Sequence, residues 1–433
     1  MHSLKSRASH DEHRVQSEIA NHRAELPDVS VVVPIKGSPK TVEELTSALL
    51  QQRYEGKVQI VYVGDFDDSA WSPLTAEIEN GAIEIVEVQI ETPRRDTNAK
   101  RSIGLSYATG KVIALTDGDF VPHPNWIASG VTRINEGHSV VGGRMVGIED
   151  SFWSVYTDNN LIGSKTPRIN GCYLITKDNF GKPGRKPPIT ANVFMAREVY
   201  EVVGGPPAQF TTCFEDYPWF RAIVDYGYEI LMDETLVGFH FHRGGFQTMA
   251  SDYFRSGYGC ADYVVSIPGC RFGRKRAVQA PTALLIEAAI LAGFAIQPLA
   301  VGLVGIVILS TFLGVTWHRQ RTPASLLYPI LTAFLGTAFS LGFMYRFLRR
   351  GWRAPVLSVL KDIRRVETAR ISKNTFPLRV EDVAQVNQID DGPRNEIPTT
   401  VAPYAHRSPR LTAYTCMLDQ SAYVSSQRNG DRK

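Results

Sequence analysis

The chain has 433 residues, with 47 Lys and Arg against 44 Asp and Glu and a formal net charge of +3. That length allows two or three modules, and the small, dispersed positive charge offers no concentrated basic face, which excludes nucleic acid as a partner. The five cysteines, Cys172, Cys213, Cys260, Cys270 and Cys416, form no CxxC pair, so they read as reduced thiols rather than as a zinc or redox site.

Residues 1–27 are rich in His, Arg, Glu and Ser without an apolar core; they are neither a signal peptide nor an anchor and read as a disordered lead-in. A folded domain is expected over residues 28–270. It opens with the β-branched run at 29–34, a strand closed by Pro34 and followed by turn residues up to Pro39. Val42, Leu45, Leu49 and Leu50 recur at three- and four-residue spacing and predict a helix, and residues 58–63 predict a second strand ending in Gly64 and Asp65. A run at 83–88, a helix at about 96–108 and a strand at 112–115 continue the alternation. That order is expected of a parallel α/β sheet whose strands are each buried on both faces.

Ligands of such sheets bind beyond the carboxyl ends of the strands, and three acidic sites fall there. Asp65 follows the second strand, Asp117-Gly-Asp119 follows the strand ending at Thr116, and Glu215-Asp216 precedes a helix expected near Trp219. Two aspartates one residue apart on a turn supply hard oxygen ligands for Mg2+ or Mn2+ beside a diphosphate, although such a pair also suits a solvated turn. Glu215-Asp216 alone equally suits a helix N-cap. His240 and His242 alternate as on a strand, with both imidazoles on one face; a structural pair and a metal ligand both fit that spacing.

Beyond the domain, residues 282–317 carry one charge, Glu287, and residues 326–347 carry one, Arg346. Each run exceeds the about 18 apolar residues that mark a transmembrane helix. As one helix the first would reach about 50 Å, against a hydrocarbon core of about 30 Å, and Pro298 is a candidate break. Two spans are expected within 280–350, three being the alternative, because an even number leaves the basic clusters at 271–276 and 346–350 on one side. The domain is then cytoplasmic, at the inner face of the plasma membrane, and residues 351–433 read as a largely disordered cytoplasmic tail.

With these residues in place, the segment from about 29 to 263 resembles a family 2 glycosyltransferase with the GT-A fold. Val31-Val32-Val33-Pro34 is similar to that family's first strand, whose following loop lies by the nucleotide, and Asp65 is similar to the acid that contacts the base. Lys100 and Arg101, ahead of Ala108-Thr109-Gly110, match the place of its basic residues near the donor. Asp117 and Asp119 match its metal motif, Asp117 serving the metal or the ribose, and His240 stands where a histidine completes the metal shell in relatives. Glu215-Asp216 matches its acidic pair, in which the Asp is the base. The processive members carry Gln-x-x-Arg-Trp; here no Trp follows Arg255, which implies transfer of one sugar per encounter.

The chemistry agrees with that resemblance, since transfer to a hydroxyl needs a carboxylate for the proton and a cation for the departing diphosphate. The expectation is an inverting, metal-dependent transfer from a nucleoside-diphosphate sugar, uridine-linked, to a membrane-associated acceptor such as a lipid-linked saccharide in polysaccharide biosynthesis. The rivals are a processive synthase, a sugar nucleotidyltransferase and a non-catalytic membrane scaffold.

Overall fold

A computed structural model describes residues 26–35, 39–64, 83–89, 97–148, 151–159, 169, 171–207, 214–242, 244–266, 271–320 and 323–350. The expectations for Asp65, for the first 25 residues and for the tail from 351 lie outside these.

Within the described residues a nine-stranded sheet forms, and its first half is parallel in the order β3-β2-β1-β4: β1 (Val29–Pro34), β2 (Val58–Gly64), β3 (Ile83–Gln89) and β4 (Val112–Thr116). The period of two along β1 sends Val31 and Val33 to one face and Val32 to the other. Val31 and Val33 share a core with Val42, Leu45 and Leu49 of α1 (Pro39–Leu50), and Val32 shares another with Ile103 and Leu105 of α2 (Thr97–Tyr107). Gly104 lets α2 settle on β1, because a Cβ there would lie 2.5 Å from Val32 Cγ1. Two-sided burial holds for β1, β2 and β4 but not for β3, which is the sheet edge and exposes Glu84 and Glu87; an edge strand has helices and neighbours on fewer sides.

The second half of the sheet is mixed. β8 (Asn192–Ala196) pairs antiparallel with β4 and with β6 (Val140–Gly147), and β6 runs parallel to the long β9 (Ile230–His240). The short β5 (Phe120–Pro122) and β7 (Cys172–Ile175) both pair antiparallel with β9. Around them lie α3 (Trp126–Asn135), α4 (Phe152–Asn159), α5 (Arg197–Val203), α6 (Asp216–Asp225) and α7 (Phe246–Ser266). The helix anticipated near Trp219 thus starts three residues earlier, at Asp216 itself.

The turn into β4 is held by polar groups that are otherwise rare in such a core. Ser30 Oγ donates to Gln59 Oε1 at 2.7 Å and accepts from the backbone N–H of Gly110 at 2.7 Å. At Gly110 a Cβ would lie 2.6 Å from Ser30 N and 2.7 Å from Asp28 O, so the backbone of β1 leaves room there only for glycine.

Among the described residues three helices are long and apolar enough to cross a membrane: α8 (Arg271–Ile296), α9 (Pro298–Gln320) and α10 (Tyr328–Arg350), the last two joined through a 3-10 turn at Pro323–Leu327. The first apolar run, for which one span was preferred, is therefore two helices. Pro298 has no N–H to continue the ladder, yet Gln297 N still bonds to Gly293 O and Val301 N to Gln297 O. The join is an elbow. Eight residues of straight helix rise about 12 Å, whereas a Cβ on Gly293 would lie 2.9 Å from Val301 Cγ2.

Candidate active site

The site is assembled at the carboxyl ends of β1 and β4. Asp117, Gly118 and Asp119 turn between β4 and β5, closed by a hydrogen bond from Phe120 N to Asp117 O at 3.1 Å. The turn faces the end of β1, where a Cβ on Gly118 would lie 3.7 Å from the carbonyl oxygen of Pro34. Trp126 anchors the turn from below: its ring lies between Phe120 and Phe194, and its Nε1 donates to Asn192 Oδ1 at 2.8 Å.

Arg101 joins the two acidic sites. Arg101 is 3% exposed, and its guanidinium donates to Asp117 Oδ1 and to Glu215 Oε1, each at 2.5 Å. Burial alone would lower its pKa, but Asp117 and Glu215 outweigh that and raise it, so the side chain stays charged. Glu215 occupies the N-cap position of α6 without a side-chain capping bond; its carboxylate is committed to Arg101, which removes the plain capping reading. Asp216 begins the helix and accepts from Tyr217 N at 2.8 Å. Burial, then the charge of Glu215, push the Asp216 carboxyl up, against the pull of Arg101. Immediately before this pair Phe214 holds φ at 76°, an uncommon conformation for a bulky residue.

Asp119 points the other way. The register of β5 on β9 sets Phe120 opposite His240, and this brings Asp119 Oδ1 to 3.1 Å from His240 Nε2. His240 Nδ1 lies 3.2 Å from His242 Nδ1, and His242 Nε2 lies 2.8 Å from Asp158 Oδ1 on α4. Asp158 in turn accepts from Gly147 N at 2.8 Å. The result is a row of carboxylate, imidazole, imidazole, carboxylate with its Asp119 end partly open to solvent.

Of the residues singled out in the sequence, the fold brings Arg101, Asp117, Glu215 and Asp216 into one group and Asp119 and His240 into another, linked by the short turn. Lys100 is placed differently: it is 1% exposed, and its Nζ donates to the carbonyl of Ile35 at 2.6 Å, tethering α2 to the end of β1. Among the described residues no cluster of three His, Cys, Asp or Glu side chains is preformed for a metal, since Asp117 is turned to Arg101. Asp119 and His240 remain as adjacent oxygen and nitrogen donors. Asp158 and Asn192 were not anticipated; neither follows a strand, and no local motif marks them.

The sequence profile of glycosyl transferase family 2 matches residues 30–204, the stretch that supplies β1 through β8 and the Asp117–Asp119 turn. The chain carries a family 2 glycosyltransferase domain. It is similar to the glycosyltransferase AglE of Haloferax volcanii, with 25% identity over 239 residues, covering 54% of this chain and 73% of the relative. It is also similar in structure to the mannosyltransferase PcManGT of Pyrobaculum calidifontis, solved in complex with GDP-Man and Mn2+, with a TM-score of 0.50 and 17% identity over 75% of this chain and 88% of the other. The second likeness establishes the fold: this glycosyltransferase domain is GT-A, with β9 and α7 completing it beyond the profile match.

Proposed function

We propose that this glycosyltransferase uses Asp216 as the base for an inverting transfer from a nucleoside-diphosphate sugar to a hydroxyl of a membrane-associated acceptor, a lipid-linked saccharide being the leading class. The observation that carries the reading is Arg101, which holds Asp117 of the donor side and Glu215 of the base side in one charged network. A carboxylate raised toward neutrality by burial is suited to take a proton. Asp216 removes the acceptor hydroxyl proton as that oxygen bonds to the anomeric carbon and the bond from that carbon to the diphosphate breaks on the opposite side. Glu215, fixed by Arg101, keeps a negative charge beside Asp216 and sustains its basicity. The edge of Pro34, with Lys100 securing the loop behind it, borders the donor, and Asp65 is assigned to its base, the uridine-linked carrier being favoured.

Asp119 and His240 fit a divalent cation, Mg2+ or Mn2+, because a carboxylate and an imidazole nitrogen lie side by side with solvent access. Such a cation supplies charge neutralisation to the departing diphosphate. The protein's own part is orientation: His242 and Asp158 fix the ring of His240, and Trp126 fixes the turn that carries Asp119. The catalytic domain is assigned to the cytoplasmic face of the plasma membrane.

The test is nucleoside diphosphate release by detergent-purified protein over a panel of uridine- and guanosine-linked sugars, with Mg2+ or Mn2+, with and without membrane lipid extract. Release that requires one donor, a divalent ion, Asp119 and Asp216 is the expected result. Pyrophosphate release, or turnover that survives Asp119→Ala and Asp216→Asn, overturns it in favour of a nucleotidyltransferase or a different site; products longer by many residues favour a processive synthase.

A further inference from the structure

By length and composition α10 is a candidate span, and it also packs along the catalytic domain. It runs beside α7 in the same direction. Phe334 meets Phe246 with ring centroids 6.2 Å apart, Tyr345 meets Tyr258 at 6.5 Å, and Arg346 Nε donates to Asp262 Oδ1 at 2.8 Å. The two backbones touch, since a Cβ on Gly257 would lie 1.9 Å from Phe339 O and one on Gly342 2.0 Å from Phe254 O.

α7 is itself laid flat on the catalytic domain. Near its start Met249 is buried with Tyr156 of α4, and near its end Tyr263 packs edge-on to Tyr217 of α6 at 5.2 Å. α10 reaches the same surface directly: Tyr328 packs on Tyr156 at 5.1 Å, and the Tyr156 hydroxyl lies 3.1 Å from Thr332 Oγ1. A helix that crosses a bilayer has to leave the water-facing domain behind, whereas this one follows it from α4 to the level of Phe214 and Phe343.

Alongside the α7 contacts, and sharing Phe334 and Tyr345 with them, α10 carries an apolar stripe. Ile330, Phe334, Leu341, Tyr345 and Leu348 are each 40–60% exposed and recur at three-, four- and seven-residue intervals, which is one helix face. The elbow of α8 and α9 is more open still: Leu291, Ile296 and Leu299 are 71%, 75% and 78% exposed.

We propose that α10 lies in the bilayer surface as the floor of the catalytic domain, its stripe in the lipid, and that only the α8–α9 elbow enters the bilayer and returns to the side it came from. The inference rests on the membrane-associated reading above and is independent of the donor. It leaves Lys275 and Arg276 on the same side as Arg346 and Arg349, beside anionic head groups. An amphipathic element of this kind buries its apolar face about 5–10 Å deep without crossing.

The experiment uses the full chain with an epitope tag at each end, in sealed vesicles of known orientation treated with protease. Both tags are expected to be cleaved together or protected together. A second arm places a fluorophore on Leu341→Cys, with the five native cysteines changed to serine, and compares quenching by nitroxides held near the head groups and near the bilayer centre; shallow quenching is expected. Tags on opposite sides, or quenching strongest at the centre, overturn the proposal. Neither readout involves sugar transfer, so failure here and failure of the enzymatic assignment are separable.

Discussion

Asp119 Oδ1 and His240 Nε2 lie 3.1 Å apart, although one leaves the parallel half of the sheet and the other ends its last strand. In the proposed metal site these two groups are the cation's donors, and removing the imidazole removes one of them. His240→Ala is expected to weaken Mn2+ binding about ten- to a hundredfold, read by titration of the free-ion electron spin resonance signal, with turnover partly regained at high Mn2+. Unchanged Mn2+ affinity would remove His240 from the metal site.

Asp158 reaches that ring through His242. Asp158→Asn keeps the shape and the acceptor for Gly147 N but loses the charge that fixes the His242 tautomer. Mn2+ affinity is expected to fall by roughly tenfold, with donor KM rising at low Mn2+ and returning near the parent value at saturating Mn2+. A fall in kcat that metal does not restore would place Asp158 outside this role.

Burial and Glu215 push Asp216 up to about 7. A base works deprotonated, so kcat/KM is expected to be level above that pH and to fall tenfold per unit below it. The stability contribution has the opposite sense: a carboxyl raised on folding favours the protonated native state, so its contribution is complete below the usual carboxylate range and is lost as pH rises through about 7. Asp216→Asn should lower kcat roughly a hundred- to ten-thousandfold while flattening both profiles.

Arg101 is buried between two carboxylates. Arg101→Ala leaves them facing each other and is expected to cost about 3–5 kcal/mol, measured by thermal unfolding in detergent. Arg101→Lys retains the charge but loses the two-pronged geometry; stability should recover by more than half while kcat stays depressed, which separates holding the fold from orienting Glu215.

At Gly110 an added methyl would press on the backbone of residues 28–30. Gly110→Ala is expected to destabilise the domain by roughly 2–3 kcal/mol, whereas Gly137→Asn, at a positive φ of 98° with open space around it, should stay within about 1 kcal/mol. Equal melting temperatures for the two variants would contradict the packing described for the β4 turn.

The strands and the acids behind them were legible because buried parallel strands are continuous apolar runs and the ligand end of such a sheet is fixed by topology. Asp117 and Asp119 stand out by that rule, whereas Glu215-Asp216, which follows a loop, needed the family resemblance to be set apart from a helix cap. The place of Lys100 was not legible: beside Arg101 in sequence, it is turned by one helical step to the carbonyl of Ile35 at the end of β1. Asp158 could not be found, since its partner His242 is remote in sequence. The two preferred spans illustrate a different limit. Composition did not show that the first apolar run divides at Pro298, because an elbow and a straight span are equally apolar; the break shows only in the close approach of Gly293 and Val301.

Phe214 carries a consequence for how this enzyme can be cut. A side chain held at φ 76° costs roughly 1–2 kcal/mol over the ordinary conformation, and the compensation is the seat of its ring among Cys260, Ala261 and Phe343. Those residues belong to α7 and α10, so the geometry of the acidic pair is underwritten by the helix pair whose α10 we place at the bilayer surface. A soluble fragment ending before residue 246 would keep the whole donor half yet lose the counterweight to that strain. Such a fragment is expected to bind nucleotide and to transfer poorly.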